Sequence, residues 1–395
     1  MSEKNYAKLL CFSTCLSIFF PPYHVLATRV TILLSDIFYV LPLVIVFFNI
    51  ERWEWKDIKN GIWFSVIWVI IWCISILFNG DIPVTSTVLF AIFGSAFLTV
   101  NNKIRELSFY YFTKIFSIFL LLGIIEFLFY LKGYFIPLGI TERSITNGKY
   151  TLVQGFFNFF SLYSKDMIRF QSMAEEPGLI GTLCALMVFV IDRKVFRMEF
   201  YVFIVSGFLT FSMAFFILIS LYFMTQLRNI RTLIYIILVF GALCGVYDTY
   251  KHTHIVKHYI TRRFEKGRSG DNRVTREFDN YFRQKFMCSK NVFVGEGVKV
   301  MYRKRSILNR TGGNAGGKVM FLQIGLFGIC LLMWFYTKAI LNNKGYNDMS
   351  LFFILVFWIS FYQREYIIYP YMIMLAFSPL LLDKELSDEQ EDEDI

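Results

Sequence analysis

Residues 199–224 read EFYVFIVSGFLTFSMAFFILISLYFM, and the number of times this stretch crosses a membrane decides the fold. A helix needs about 20 apolar residues to cross a ~30 Å hydrocarbon core. One long helix fits the stretch, and so do two short ones hinged at Thr210-Phe211-Ser212. The flanking charges discriminate, because short loops rich in Lys and Arg stay on the cytoplasmic side. Arg52, Lys56 and Lys59 follow the second apolar run, Lys103 and Arg105 the fourth, Arg193, Lys194 and Arg197 the sixth, and Lys338 and Lys344 the run 317–337. Asn79-Gly80-Asp81 carries no cation and falls on the opposite side. A single crossing by 199–224 would put Arg228 and Arg231 outside and leave Lys338 and Lys344 on the wrong side. Two crossings restore the alternation, giving twelve in all with both termini cytoplasmic. Short broken helices are tolerated at membrane depth where protein or a water-filled cavity covers them.

Working outward, further apolar runs cover 7–20, 31–49, 61–78, 84–100, 109–131, 178–191, 232–247, 317–337, 350–362 and 366–382. The expected fold class is all-α, a polytopic transmembrane helical bundle of about 11–12 crossings with two outward-facing loops. Composition agrees: of 395 residues 56% are apolar and only 18% charged, against about 25% charged in average globular domains. That excludes a single soluble domain and a disordered chain. Leu9 to Phe20 has the length of a signal-peptide core, but it leads into Pro21-Pro22-Tyr23-His24 with no small-residue cleavage site, and it reads as a retained first span. The expected organisation is 1–131 N-terminal transmembrane helices, 132–177 a first outer loop, 178–247 central helices with the broken pair, 248–316 a large outer loop, 317–382 C-terminal helices and 383–395 an acidic cytoplasmic tail. Six of the seven cysteines lie in apolar runs and only Cys288 in a polar loop, so no disulfide within a loop is available.

Charge is distributed unevenly. The formal net is +10. Residues 248–318 hold 17 Lys and Arg against 6 Asp and Glu, a net of +11, whereas the tail after Leu382 has eight acids and one lysine, a net of −7. A long basic loop translocates whatever its charge. It suits either a surface attracted to anionic headgroups or a site for an anionic substrate. Arg262, Arg263, Arg268, Arg273, Arg276 and Arg283 dominate its centre, and the planar guanidinium matches phosphate oxygens better than an ammonium does.

Within that loop residues 272–286 sort by face at helical spacing. Val274, Phe278, Tyr281, Phe282 and Phe286 form one stripe, expected to pack on the bundle or the bilayer interface, with Arg273, Arg276, Glu277, Asn280, Arg283 and Gln284 opposite. Ser269-Gly270-Asp271-Asn272 supplies capping residues ahead of it, and Arg273 at the amino end favours a phosphate there. The first outer loop ends with Arg169 and then Glu176-Pro177-Gly178 at the mouth of a span. Glu176 can accept a proton from a hydroxyl, or serve only as a helix-start carboxylate. Asp36 and Glu126 are intramembrane acids, a functional site by default. Asp36 also suits a capping role, and Glu126 is expected to pair with a loop arginine.

Other chemistries lack their motifs. His254 and His258 have metal-ligand spacing but no acidic or cysteine partner nearby. A phosphate-binding Gly-Lys-Ser/Thr loop, a Gly-x-Ser-x-Gly elbow and His-Glu-x-x-His are absent. Asp-x-Asp occurs only in the acidic tail, which argues against a metal-dependent sugar transferase.

The layout resembles the Wzy-type O-antigen polymerases, within the O-antigen polymerase and ligase superfamily. The residues that carry the resemblance are Arg169-Phe170 leading to Glu176-Pro177-Gly178, then Phe208 to Ala214 across the broken pair, Ser269 to Arg273 with Phe293-Val294-Gly295-Glu296-Gly297 in the large loop, and Asn314 ahead of Phe321 to Gly328. Asp36 also fits. Ligases of the superfamily usually carry a histidine where this chain has Asn314, which favours the polymerase. The resemblance implies a glycosyltransferase of the bacterial inner membrane that joins undecaprenyl-diphosphate-linked oligosaccharide repeat units at the outer face. It implies no metal, no cofactor and no nucleic-acid partner, with the lipid bilayer and a chain-length-regulating membrane protein as associates. Glu176, Arg273 and Arg169 are the expected catalytic residues, and Arg276, Arg283, Arg263, Asp36 and Asn314 the expected substrate-binding ones. The alternatives are an O-antigen ligase-type transferase and, from another class, a flippase for lipid-linked oligosaccharide, which would predict charges along a central path and an internal repeat.

Overall fold

The computed structural model describes residues 1–19, 29–134, 136–145, 148–156, 159–164, 167–174, 176–191, 193, 195–225, 276–304, 316–364 and 366–379. The protein is a helical bundle. Helices α1 (Glu3–Phe19), α2 (Arg29–Phe48), α3 (Trp55–Asn79), α4 (Thr85–Thr99) and α5 (Asn102–Leu131) form its amino-terminal half. The carboxyl-terminal part follows as α6 (Pro177–Val190), α7 (Arg197–Leu209), α8 (Met213–Thr225), α9 (Arg276–Asn280), α10 (Asn291–Val294), α11 (Val300–Arg303), α12 (Gly316–Lys344), α13 (Asp348–Gln363) and α14 (Pro370–Phe377). Three of these, α3, α5 and α12, are long and apolar enough to cross a membrane; α4, α6, α8, α13 and residues 33–48 of α2 are shorter apolar helices. Large apolar side chains stand exposed along the outside, among them Phe47, Leu77, Ile118 and Leu128. Water does not tolerate such a surface over an entire bundle, whereas lipid does.

The bundle has two chemically different ends. Tyr6 donates to Pro42 O (2.7 Å) and Ser13 to Phe38 O (2.7 Å), so α1 and α2 run antiparallel. Asn101 reaches Glu3 (3.3 Å), which sets the start of α5 beside the start of α1. At this end Arg105 pairs with Asp57 (3.3 Å) and Lys114 with Glu199 (2.6 Å). The short basic connections read from the sequence therefore gather at one end of the molecule.

The opposite end carries a small antiparallel sheet that the sequence reading did not place. Strands β1 (Gly139–Ile145), β2 (Gly148–Gln154), β3 (Phe159–Ser164) and β4 (Met167–Ser172) form a meander in the order β1-β2-β3-β4. Phe160 lies opposite Phe170, and both are fully buried. Their rings pack on Phe127 (5.3 and 5.9 Å between centroids), and Phe160 also stacks on Tyr130 (5.5 Å). The sheet thus caps the carboxyl-terminal end of α5. Glu126 accepts the backbone N–H of Phe156 in the β2–β3 connection, and the central loop arginines Arg262, Arg263, Arg268 and Arg273, candidates for the expected pairing with it, lie outside the described residues.

Residues 199–224 are two helices, as the hinge at 210–212 predicted. α7 and α8 both pack on α6, which is buried along its whole length. Tyr222 near the end of α8 meets Phe200 near the start of α7 (6.0 Å) and Phe189 near the end of α6 (5.3 Å). The pair is therefore a hairpin whose tip returns to the first turn of α6. Phe211 at the tip takes a left-handed φ of 48°, a conformation a bulky residue rarely adopts. The run 366–382, expected as one span, contains a 3-10 turn (Tyr366–Ile368) and the eight-residue buried helix α14. Pro370 at its first turn supplies a preset φ and lacks a donor that would have no partner there. The expected span 232–247 and tail 383–395 lie outside the described residues.

Candidate functional site

The sheet end brings two separate constellations together. The first anchors the large basic loop. α12 is broken at Gly325, where φ is 68° and ψ −177°. An L side chain is strained in that conformation. The interruption lets residues 295–297 pair with it: Glu296 N–H donates to Leu322 O (2.7 Å) and Gly297 N–H to Gln323 O (3.1 Å). A Cβ on Gly325 would strike the backbone of Phe293 and Gly295, and one on Gly295 would strike Gln323. The two glycines face each other at a distance only glycine allows.

Around this junction the charges are paired. Tyr281 donates to both Glu296 oxygens (2.7 and 2.8 Å), and Lys304 donates to Glu296 Oε2 (2.5 Å) and lies against the Tyr281 hydroxyl. Burial pushes the Lys304 ammonium down, but the hydrogen bonds to Glu296 and Tyr281 and their charge outweigh it and leave it raised. Arg303 bonds Asn79 O (2.9 Å) and pairs with Asp81 (3.2 Å), while Lys299 N–H donates to the same Asp81 carboxylate (2.9 Å). Within the described residues the predicted stripe is present from Phe278 on: Phe278, Tyr281, Phe282 and Phe286 are buried against Val319, Phe321 and Leu322 at the start of α12, while Glu277, Asn280, Arg283 and Gln284 are exposed. Lys318 fixes the same segment by bonding Asp279 (2.7 Å), and that hydrogen bond is the main reason the Asp279 carboxyl lies below its usual value.

The second constellation lies where β4, the hairpin tip and the start of α6 converge. Arg169, on β4, donates through Nε to Thr210 O (2.7 Å) and through Nη2 to Phe211 O (3.3 Å). Gly181 lets the tip come down on α6, because a Cβ there would collide with Ser212. Gln171 bonds Ala174 O (2.8 Å), and Ser172 beside it takes a left-handed φ of 54°. Two non-glycine residues in this conformation, Ser172 and Phe211, flank the cluster, and stored strain of this kind gathers at functional sites. Glu176 caps α6 from an extended conformation and forms an ion pair with Arg364, at the carboxyl end of α13.

Arg364 is the residue the sequence reading missed. Its side chain is 4% exposed, against 39% for Glu176, and its Nε and Nη2 are buried with no hydrogen-bond partner among the described residues. A buried polar group in that condition costs about 1–3 kcal/mol each. A signal was available: Arg364 falls in the short link Gln363-Arg364-Glu365, which the alternation puts outside, where cations are depleted.

The remaining expected residues scatter. Arg283 is exposed and pairs with Asp279 one turn away (2.9 Å), on the face away from the junction. Arg276 opens α9. Asp36 lies part-buried on α2 one turn from Tyr39, whose ring meets Phe90 (5.2 Å), which in turn packs on Tyr369 (4.8 Å). Arg263, Arg273, Asn314 and the four histidines lie outside the described residues.

Fold and site together define a helical protein suited to a membrane, with the Glu176 carboxylate paired to a buried arginine, Arg364, at one end and Arg169 holding the adjacent hairpin tip. No protein-family model, no curated protein and no solved structure matches the chain.

Proposed function

We propose that this protein is a metal-independent glycosyltransferase of the inner membrane of a bacterium, an O-antigen polymerase joining undecaprenyl-diphosphate-linked repeat units at the sheet end, which faces outward. The orientation follows from the cations of the short connections, which collect at the other end and mark the cytoplasm. The hairpin of α7 and α8 supports the double crossing and both termini inside.

The observation that carries the reading is the grouping of Arg169, Glu176 and Arg364 at the outer mouth of α6. In the proposed reaction the hydroxyl oxygen of one lipid-linked repeat unit attacks the anomeric carbon of a growing chain on another. The bond from that carbon to the diphosphate breaks, and undecaprenyl diphosphate leaves with the electron pair. Charge develops on the leaving oxygens, and preorganised guanidinium groups in a water-poor site stabilise it without reorganising. The Arg364 nitrogens that have no partner among the described residues supply such donors. Glu176, partly open to the outer surface, orients the attacking hydroxyl and takes its proton. Loop arginines including Arg273 extend the anion-binding surface, and outer-loop aromatic rings suit stacking on sugars.

The test is incubation of purified protein with a lipid-linked repeat unit, followed by separation of products by length. Chain extension by the native protein and its loss in Glu176→Gln and Arg364→Gln is the expected result. Native-level extension by both variants refutes the assignment. Translocation of the lipid-linked unit without extension identifies a flippase instead.

A further inference from the structure

The opposite end of the bundle holds a cleft of about 380 Å³ between α3 and α12, within the range of small-ligand clefts. Lys56, Lys59 and Trp63 line it from α3, at helical spacing on one face, and Trp334, Lys338 and Asn342 line it from α12 in the same way. No acid lines it. Neighbouring cations at this end are paired, Arg105 with Asp57 and Lys114 with Glu199. Among the described residues none of the three cleft lysines forms an ion pair. Lys338 lies over the Trp334 ring (5.3 Å), which holds its ammonium at the rim.

The two lining stripes continue into exposed apolar surface. Below Lys59 and Trp63 on α3 come Val66 and Ile70, and below Lys338 and Trp334 on α12 comes Phe327, all exposed. The order along each helix is cation, half-exposed tryptophan, then aliphatic or aromatic side chain. That order matches the order of phosphate, interface and acyl chain in a lipid leaflet, where tryptophan favours the boundary. A soluble anion would use the lysines alone, whereas a lipid engages the lysines, the tryptophans and the apolar stripe of each helix together.

We infer that this cleft is a binding site for the phosphate-bearing headgroup of an anionic phospholipid in the leaflet at this end, with the acyl chains lying along the groove between α3 and α12. The lysines hold the phosphate oxygens, the tryptophans bracket the glycerol region, and the bound lipid ties the α3–α4 unit to α12. The site lies at the end opposite the Glu176 cluster, so it stands or fails independently of the polymerase reading.

Native mass spectrometry of the full chain in a zwitterionic detergent, titrated with phosphatidylglycerol or with phosphatidylcholine of the same acyl chains, tests this. Retention of phosphatidylglycerol well above phosphatidylcholine is expected. The triple variant Lys56→Gln, Lys59→Gln, Lys338→Gln should bind phosphatidylglycerol on the order of a hundredfold more weakly. A control triple, Arg52→Gln, Lys103→Gln, Arg197→Gln, removes the same charge at the same end outside the cleft and should bind as the native protein does. Equal weakening in both triples, or equal retention of the two lipids, overturns the site. Phosphorus NMR with inorganic phosphate forms the second arm: binding of free phosphate as tight as that of the lipid overturns the headgroup assignment. Should the triple variant fail to fold, the single reversal Lys338→Glu carries the same expectation, and undiminished lipid retention by it refutes the proposal.

Discussion

Replacing Arg364 with methionine separates a functional arginine from a structural one. In the native protein the guanidinium is 4% exposed and leaves Nε and Nη2 without partners among the described residues. Relieving two orphaned donors is worth about 1–3 kcal/mol each. Against this stand the ion pair with Glu176, whose carboxylate is 39% exposed and so worth about 0–1 kcal/mol, and the Arg364–Tyr366 ring contact, worth about 0.5–1 kcal/mol. Glu176 is not stranded by the change, because water reaches it. The balance runs from near zero to about 5 kcal/mol of stabilisation, and its centre falls within the about 1–4 kcal/mol found when buried ions give way to apolar side chains of similar volume. Arg364→Met should therefore melt a few degrees above the native protein in detergent, followed by loss of its monodisperse peak on heating. The same variant should leave surface glycans capped with single repeat units when it replaces the native protein in cells. A lower melting temperature together with a normal ladder of chain lengths refutes the reasoning, since Arg364 would then be a brace.

Other substitutions probe the remaining elements. Arg273→Ala should leave the protein inserted but shorten surface glycans to single units, and Arg273→Lys should restore little, because an ammonium lacks the fork; a normal ladder in Arg273→Ala removes that residue from the site. Gly325→Ala combines a left-handed φ with a collision against Phe293 and Gly295. It should release 293–304 from α12, read as faster hydrogen exchange there, and unchanged exchange counts against the junction. Asp279 is held below its ordinary carboxyl value chiefly by the Lys318 hydrogen bond, so its contribution is present above that ordinary value and lost as pH falls through the lower folded one. Protection of 276–286 should weaken in that acidic window and become insensitive to it in Asp279→Asn. Lys304 is raised, so its pairing with Glu296 should persist below its ordinary value of 10.5 and fail only as pH rises beyond that value; Lys304→Met should expose the loop to protease at neutral pH.

Several features were legible because they rest on local pattern. The polar trio Thr210-Phe211-Ser212 inside an apolar run is enough to end a helix, and the hairpin of α7 and α8 turns there. The stripe of Phe278, Tyr281, Phe282 and Phe286 emerged intact, since a helical face with four large apolar residues must find a partner. The four-stranded sheet stayed hidden because its strands are short and Leu152 and Val153 are adjacent and both buried, which blurs the alternation that marks a half-buried strand. Gly325 resembles Gly317 and Gly328 in sequence, and only the approach of Gly295 distinguishes it. Arg364 lies in a three-residue link between two apolar runs, and nothing in its neighbouring residues distinguishes it from the other cations that end such runs.

A membrane-suited helical bundle, the place of its hinge and the gathering of short-loop cations at one end all follow from local pattern along the chain. Those properties depend on hydrophobic length, on helix-breaking residues and on charge near span ends, all of which act within a few turns of chain. Long-range packing, by contrast, brings Arg364, 188 residues after Glu176, into an ion pair with that acid and docks residues 295–297 into the break of α12. Such pairings depend on which helix ends meet at one level of the bundle. Packing in three dimensions sets that, and no periodicity along the chain encodes it.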